Sequence, residues 1–239
     1  MRLSPTTAVL LAAGRGRRLR PHTDHTPKPL LPVDGRPTLD HVLTAVAAAD
    51  IETVCIVTHH LGEQVEAFAG DGLAWGLRAV TCRQPRLEGT AHALKTAVSA
   101  YPSLFPGERP FLLTATDYVL PPAYLHALVA AHAANDAEIT VSLKRLPPSA
   151  MSESSRVAFR PDCKIARIIE KPPPDARSGS LAASLIFVLP GSTTNYLEKL
   201  RRSPRGEFEI QDVINRMLEE GYTASGLVQE APRQWSALR

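Results

Sequence analysis

Aromatic side chains make up only 5% of the 239 residues, and none is interleaved with the arginines near the N-terminus. Single-stranded nucleic acid needs such stacking platforms. The formal net charge of +3 also supplies no broad basic face, so no nucleic-acid partner is expected. Cysteine is scarce as well. Cys55, Cys82 and Cys163 are odd in number, far apart and outside any CxxC or Cys/His cluster with zinc-like spacing. That pattern excludes a disulfide framework and a structural zinc site, and it fits reduced thiols in a cytosolic chain. No apolar run approaches the roughly 18 residues needed to cross a bilayer. The opening MRLSPTTAVLLAAG is too short in apolar residues for a secretory signal. A cytoplasmic protein with no membrane partner is expected, and homo-oligomerisation is left open. Internal repeats and low-complexity tracts are missing too, which excludes a solenoid or a hexapeptide β-helix.

What is present is a 44% apolar composition, ample for one packed α/β domain. Short β-branched runs alternate with helix-like segments. TTAVLL (6–11), TVCIVT (53–58), LRAVTCR (77–83), FLLTAT (111–116) and EITVSLKRL (138–146) read as strands. Segments 38–50, 61–69, 90–101 and 122–135 read as helices, the last with proline in its first turn. Strand–helix–strand order argues for a mostly parallel sheet covered on both faces, with sites at the carboxyl ends of its strands. Beyond residue 146 the pattern changes to two strands around a PDC turn (155–172), a third strand (180–189) and helices near 192–202 and 208–220. A single domain spanning 1–239 follows, with 1–146 as its first half and an α+β lobe at 147–239 sharing the sheet.

The segment after the first strand, AAGRGRRLRPHTDHTPKPLLPVDGRP, concentrates glycine, cations and proline. Glycine lets backbone N–H groups approach a phosphate chain closely. A dinucleotide fingerprint G-x-G-x-x-G would need glycine where Leu19 stands, and no G-x-x-x-x-G-K-[ST] string occurs. Gly14, Gly16, Arg18 and the later TPKPLLPV instead assemble L-x-x-G-x-G-x-R-L-x-P-x-T-x-x-x-P-K-x-L-x-P-V-x-G-x-P, with AAG where AGG is common. This resembles the signature of the sugar-1-phosphate nucleotidyltransferases. QPRLEGTAHAL (84–94) resembles that family's nucleobase segment, and TATDYVL (114–120) the segment supplying a metal-binding aspartate. IIEKP (168–172) and GEFEIQDVI (206–214) resemble its sugar-phosphate segment and its distal metal segment.

The resemblance implies a Rossmann-like three-layer α/β/α fold with a small sugar-binding lobe. It also implies Mg²⁺-dependent transfer of a nucleoside monophosphate from an NTP to a sugar-1-phosphate. On that basis Leu11, Ala13, Gly14, Gly16, Gln84, Gly89 and Thr90 bind the nucleotide, and Arg18, Lys28, Asp117 and Lys171 are catalytic. Asp117 and Asp212 hold Mg²⁺, while Glu170 and Ser184 meet the sugar. Arg15, Arg17, Arg20 and Arg36 read as ordinary loop charges, and His22 and His25 receive no role. A glutamine amide can donate to O4 and accept from N3–H of uracil or thymine, so Gln84 favours UTP or dTTP. Three departures stand out: Thr116 where the family has glycine, Ser184 where it has glycine, and QWSALR in place of W-x-D-V-G-T-P. The alternatives are cytidylyl or guanylyl transfer to another phosphate acceptor, and a non-catalytic relative that binds nucleotide sugar and regulates a partner.

Overall fold

Residues 2–173, 180–230 and 233–234 are described by a computed structural model. The chain begins with β1 (Thr7–Leu11), a small hairpin of β2 (Pro32–Val33) and β3 (Arg36–Pro37), and α1 (Thr38–Ala47). It continues through β4 (Thr53–Thr58), α2 (Gly62–Ala69), β5 (Arg78–Arg83) and α3 (Thr90–Ala100). Then come β6 (Phe111–Ala115), β7 (Tyr118–Val119), α4 (Pro122–Ala134) and β8 (Ile139–Arg145). The later elements are β9 (Ser155–Phe159), β10 (Ile165–Glu170), β11 (Leu181–Leu189) and α5 (Thr193–Tyr196). After them stand α6 (Ile210–Glu219), β12 (Ala224–Val228) and β13 (Arg233–Gln234).

Among the described residues, nine strands form one mixed sheet in the order β10-β9-β11-β6-β1-β4-β5, with β8 also on β11 and β12 outside β8. β1, β4, β5 and β6 run parallel, and β11 runs antiparallel to β6, β8 and β9. Parallel neighbours need crossover helices, which cover both faces and make the strands apolar throughout. β1 shows this: Ala8, Val9 and Leu10 are all fully buried. Val9 enters the core under α3 and α6, while Ala8 and Leu10 enter the core under α1, α2 and α4. The layers are therefore helix, sheet, helix.

Two sequence expectations change. The helix expected over 192–202 is only the short α5 followed by a 3-10 turn at Leu197–Lys199. Its Ser-Thr-Thr-Asn start is rich in residues whose side chains compete for backbone hydrogen bonds. β12 was not expected, because ASGLV has neither alternation nor β-branched density. It forms because it completes β8, pairing in parallel from Ala224–Ile139 to Val228–Leu143.

His132 closes the core under α4. It is 2% exposed, with Nδ1 3.0 Å from Thr140 Oγ1. Burial, and secondarily the Arg2 charge, pulls its pKa down to about 4. The unfolded imidazole protonates near pH 6.5 and the folded one only near 4, so the unfolded state binds more protons between those values. Stability is complete above pH 6.5 and falls as pH drops towards 4, by roughly 3 kcal/mol in total. Urea unfolding of His132→Gln across pH 4–7 should show this acid slope reduced. An unchanged slope would assign it to other groups.

Candidate active site

The carboxyl ends of β1, β5 and β6 open into a cavity of about 340 Å³. Leu11, Ala13, Gly14, Gln84, Gly89 and Thr90 line it, together with Lys28, Thr116 and Asp117. The carboxyl edge of parallel strands is where open α/β sheets bind ligands. A Cβ on Gly14 would meet nothing within 4 Å, because the space beside it is the cavity. Gly16 does not line the cavity. At φ +61 it turns the loop back so tightly that a Cβ would stand 2.8 Å from Thr23 Cγ2 and 3.3 Å from Lys28 Cβ. It therefore acts by letting the arginine loop pack against the lysine loop.

A second cavity of about 430 Å³ adjoins the first. Arg18, Glu170 and Lys171 line it, and it shares Lys28, Thr90, Asp117 and Glu207 with its neighbour. At the shared wall Lys28 Nζ pairs directly with the Asp117 carboxylate. Farther out, Glu153 bridges two cations, with Oε2 3.3 Å from Arg18 Nη1 and 3.2 Å from Lys171 Nζ. The Lys171 hydrogen bond is the main cause holding Glu153 below the usual carboxylate pKa. Glu170 is held in place by the Ser155 hydroxyl, by Gln211 Nε2 at 2.9 Å and by Arg205 Nη1 at 3.5 Å.

Besides Gly16, three expected residues sit differently from what the sequence suggests. Ser184, expected to meet a sugar, does not line the second cavity. Its neighbours Ala183 and Leu185 do, because side chains alternate along β11. Ser184 is 1% exposed on the opposite face of the sheet, against Tyr124 of α4. Asp212 is not brought to Asp117. It lines a separate cavity beside Arg167, and burial raises its pKa while Arg167 pulls the other way. On α6 it is Gln211, one residue earlier, that lines the second cavity. Gln84 lines the first cavity, but its Nε2 is spent inside the protein, donating to Gly89 O at 3.2 Å and lying 2.9 Å from His92 Nδ1. Trp235 lies outside the described residues.

Thr116 is accommodated without loss. Its hydroxyl donates to Leu11 O at 3.0 Å, tying the end of β6 to the end of β1. The Tyr118 phenolic oxygen accepts the Leu185 N–H at 3.0 Å and so holds β11 beside Asp117. Burial first, and then the neighbouring Asp117 charge, push the Tyr118 phenol far above its ordinary pKa.

Sequence reasoning missed Lys144, Ser155, Arg205, Glu207 and Gln211, all on the second cavity. Lys144 is the least obvious, a lone lysine in an apolar strand. Burial lowers its pKa, while Asp117 and Glu170 draw it back up. Arg205 and Gln211 could have been found from their positions within the PRGEFEIQD stretch around the expected Asp212.

Among the described residues no three His, Cys, Asp or Glu side chains cluster as a metal cage. Asp117 and Glu207 are the carboxylates lining both cavities. That sparse, hard-oxygen set suits Mg²⁺, which commonly takes one or two carboxylates and fills its remaining positions with water and substrate phosphate. No described helix is long and apolar enough to cross a membrane.

Residues 7–236 match the family described as Nucleotidyl transferase. The low-salt glycan biosynthesis nucleotidyltransferase Agl11 of Haloferax volcanii is 30% identical over 223 residues, 93% of this chain and 60% of that protein. The bifunctional protein GlmU of Methanococcus maripaludis is 26% identical over 214 residues, 90% of this chain and 47% of that protein. The chain thus spans between about half and three-fifths of the length of these relatives. Among solved structures, UDP-glucose pyrophosphorylase complexed with UDP-glucose superposes with a TM-score of 0.78 at 19% identity, covering 98% of this chain and 93% of that one. At that identity the likeness concerns the fold.

Proposed function

The chain belongs to the nucleotidyl transferase family, and from that premise we propose that it transfers a nucleoside monophosphate from UTP or dTTP to a sugar-1-phosphate. The observation that carries this reading is the shared wall of two adjoining cavities, where Lys28 meets Asp117. A triphosphate in the first cavity and a sugar phosphate in the second would bring two anions together at that wall. Their repulsion is the main obstacle, so fixed cations and preorganised donors carry most of the catalysis.

An acceptor phosphate oxygen attacks the α-phosphorus in line. The new oxygen–phosphorus bond forms as the bond to the β-phosphate bridging oxygen breaks, and pyrophosphate leaves with the electron pair. Products are an NDP-sugar and pyrophosphate, with no covalent enzyme intermediate. Arg18 and Lys28 neutralise the triphosphate, Lys171 takes the acceptor phosphate, and Glu170 accepts hydrogen bonds from sugar hydroxyls. Glu153 already bridges Arg18 and Lys171, so it holds these cations close together until the phosphates displace it. Bound Mg²⁺, held by Asp117 with Glu207 nearby, would supply charge neutralisation at the reacting phosphates.

The purified chain should release pyrophosphate when UTP or dTTP is offered with Mg²⁺ and a panel of glucose, N-acetylglucosamine, N-acetylmuramic acid and mannose 1-phosphates. Turnover only with CTP or GTP would replace the pyrimidine assignment. Nucleotide binding without turnover on any acceptor would favour a regulatory binding protein.

A further inference from the structure

Gln84 and His92 bear on which base the nucleotide cavity takes. Gln84 is only 2% exposed, yet it lines that cavity. Its Nε2 donates to the carbonyl oxygen of Gly89 at 3.2 Å. A backbone carbonyl only accepts, so this bond sets which end of the amide turns inward. The same Nε2 stands 2.9 Å from His92 Nδ1. Both contacts are attractive only if Nδ1 carries a lone pair, which puts the ring proton on His92 Nε2. That nitrogen lies 3.7 Å from a Glu88 carboxylate oxygen, whose negative charge favours an N–H there. The carbonyl oxygen of Arg86, 3.1 Å from Nδ1, pulls the other way. A proton on Nδ1 would however point at the Gln84 N–H, and turning the amide over would set its oxygen against the Gly89 carbonyl. With Nε2 spent on two partners, Gln84 Oε1 accepts no hydrogen bond among the described residues.

We propose that His92 is a positioning residue for base selection, holding the Gln84 amide so that the cavity offers the base an acceptor and no donor. The inference rests on the nucleotide reading of this cavity and narrows it. Uracil and thymine present an N3–H that can donate to Oε1. Cytosine presents a lone pair at N3, and two facing lone pairs leave both groups desolvated and unpaired. Discrimination of this kind comes from a polar group left without a partner, which is the strong form of specificity. The glutamine therefore does not pair with O4 and N3–H of the base at once. It pairs with one of them, and His92 decides which.

The test is calorimetric titration of the chain with UTP, dTTP and CTP, without any sugar phosphate, alongside ¹⁵N spectra of the His92 ring. The unaltered chain should bind UTP and dTTP at least about tenfold more tightly than CTP. His92→Leu should shrink that ratio several-fold, mainly by improving CTP, because the amide is then freer to turn. Gln84→Met should bring the ratio near one. A His92 with only a structural role would weaken all three nucleotides together and leave the ratio unchanged, which overturns the proposal. The ring spectra need no variant: protonated Nε2 with bare Nδ1 supports the proposal, and the opposite tautomer sinks it. Failure of every nucleotide to bind removes the nucleotide reading itself, whereas binding with an unaltered ratio removes only the role of His92.

Discussion

Asp117→Asn is expected to lower kcat/KM by at least about a thousandfold, since charge stabilisation at a phosphoryl centre supplies several kcal/mol of the rate enhancement. Asparagine keeps the size of the side chain, so the end of β6 and the Thr116 bond to Leu11 should remain. What disappears is the negative charge that lines both cavities and pairs with Lys28. The pairing has a second consequence. Because the two side chains contact each other directly, their losses should not add: Lys28→Met/Asp117→Asn should be little worse than the more damaged single variant. Pyrophosphate release over a nucleotide series, with far-UV dichroism to confirm folding, measures both effects. Retention of a tenth of the activity by Asp117→Asn would falsify its assignment.

Gly89→Ala should cost about 3 kcal/mol of stability, through a backbone conformation that side chains rarely adopt and a collision with fixed backbone. Gly89 has φ +109, and a Cβ there would lie 2.4 Å from the carbonyl oxygen of Phe208. That carbonyl accepts the Ala91 N–H at 2.8 Å, and the Phe208 N–H donates to Glu88 O at 2.7 Å. Thr90 Oγ1 adds a bond from the Ile210 N–H at 2.9 Å. The glycine is thus where the start of α3 and the approach to α6 lie backbone against backbone. No flexible side chain stands there to give way. A fall of about 10 °C in thermal midpoint is expected, together with weaker nucleotide binding as the cavity wall shifts. Gly14→Ala is the contrast, since its Cβ would meet nothing within 4 Å. It should leave the thermal midpoint nearly unchanged, and equal losses at the two sites would refute this account.

Much of this architecture is legible in the sequence because the informative residues are local in their effect. TVCIVT becomes β4 over the same six residues, and the proline at the start of segment 122–135 opens α4. The loop after β1 is legible for a related reason: glycines, cations and prolines stand at fixed spacing within one short segment. Direction is what the sequence withholds. Ser184 and Leu185 differ by one step along β11, and that step decides which of them meets the cavity. Asp212 and Gln211 differ by one position on α6, where one residue is a rotation of about 100°, and the glutamine faces the cavity. Lys144 is hidden for another reason. Its meaning comes from Asp117 and Glu170, which lie far from it in sequence.

β11 is the strand that joins the two parts of the molecule. It pairs with β6 and β8 from the first 146 residues and with β9 from the rest. Its inner side chains also feed both cores, Phe187 on one face and Ile186 and Val188 on the other. Exchange of acceptor lobes between relatives is therefore constrained. A graft of residues 147–239 brings not only a new lining for the second cavity but also the strand that seals the sheet of the first 146 residues. Sugar preference should transfer cleanly only by substitutions at cavity positions of β9, β10 and α6, with β11 left native. A whole-lobe chimera should instead melt in two steps or fail to accumulate, because its cores no longer interlock.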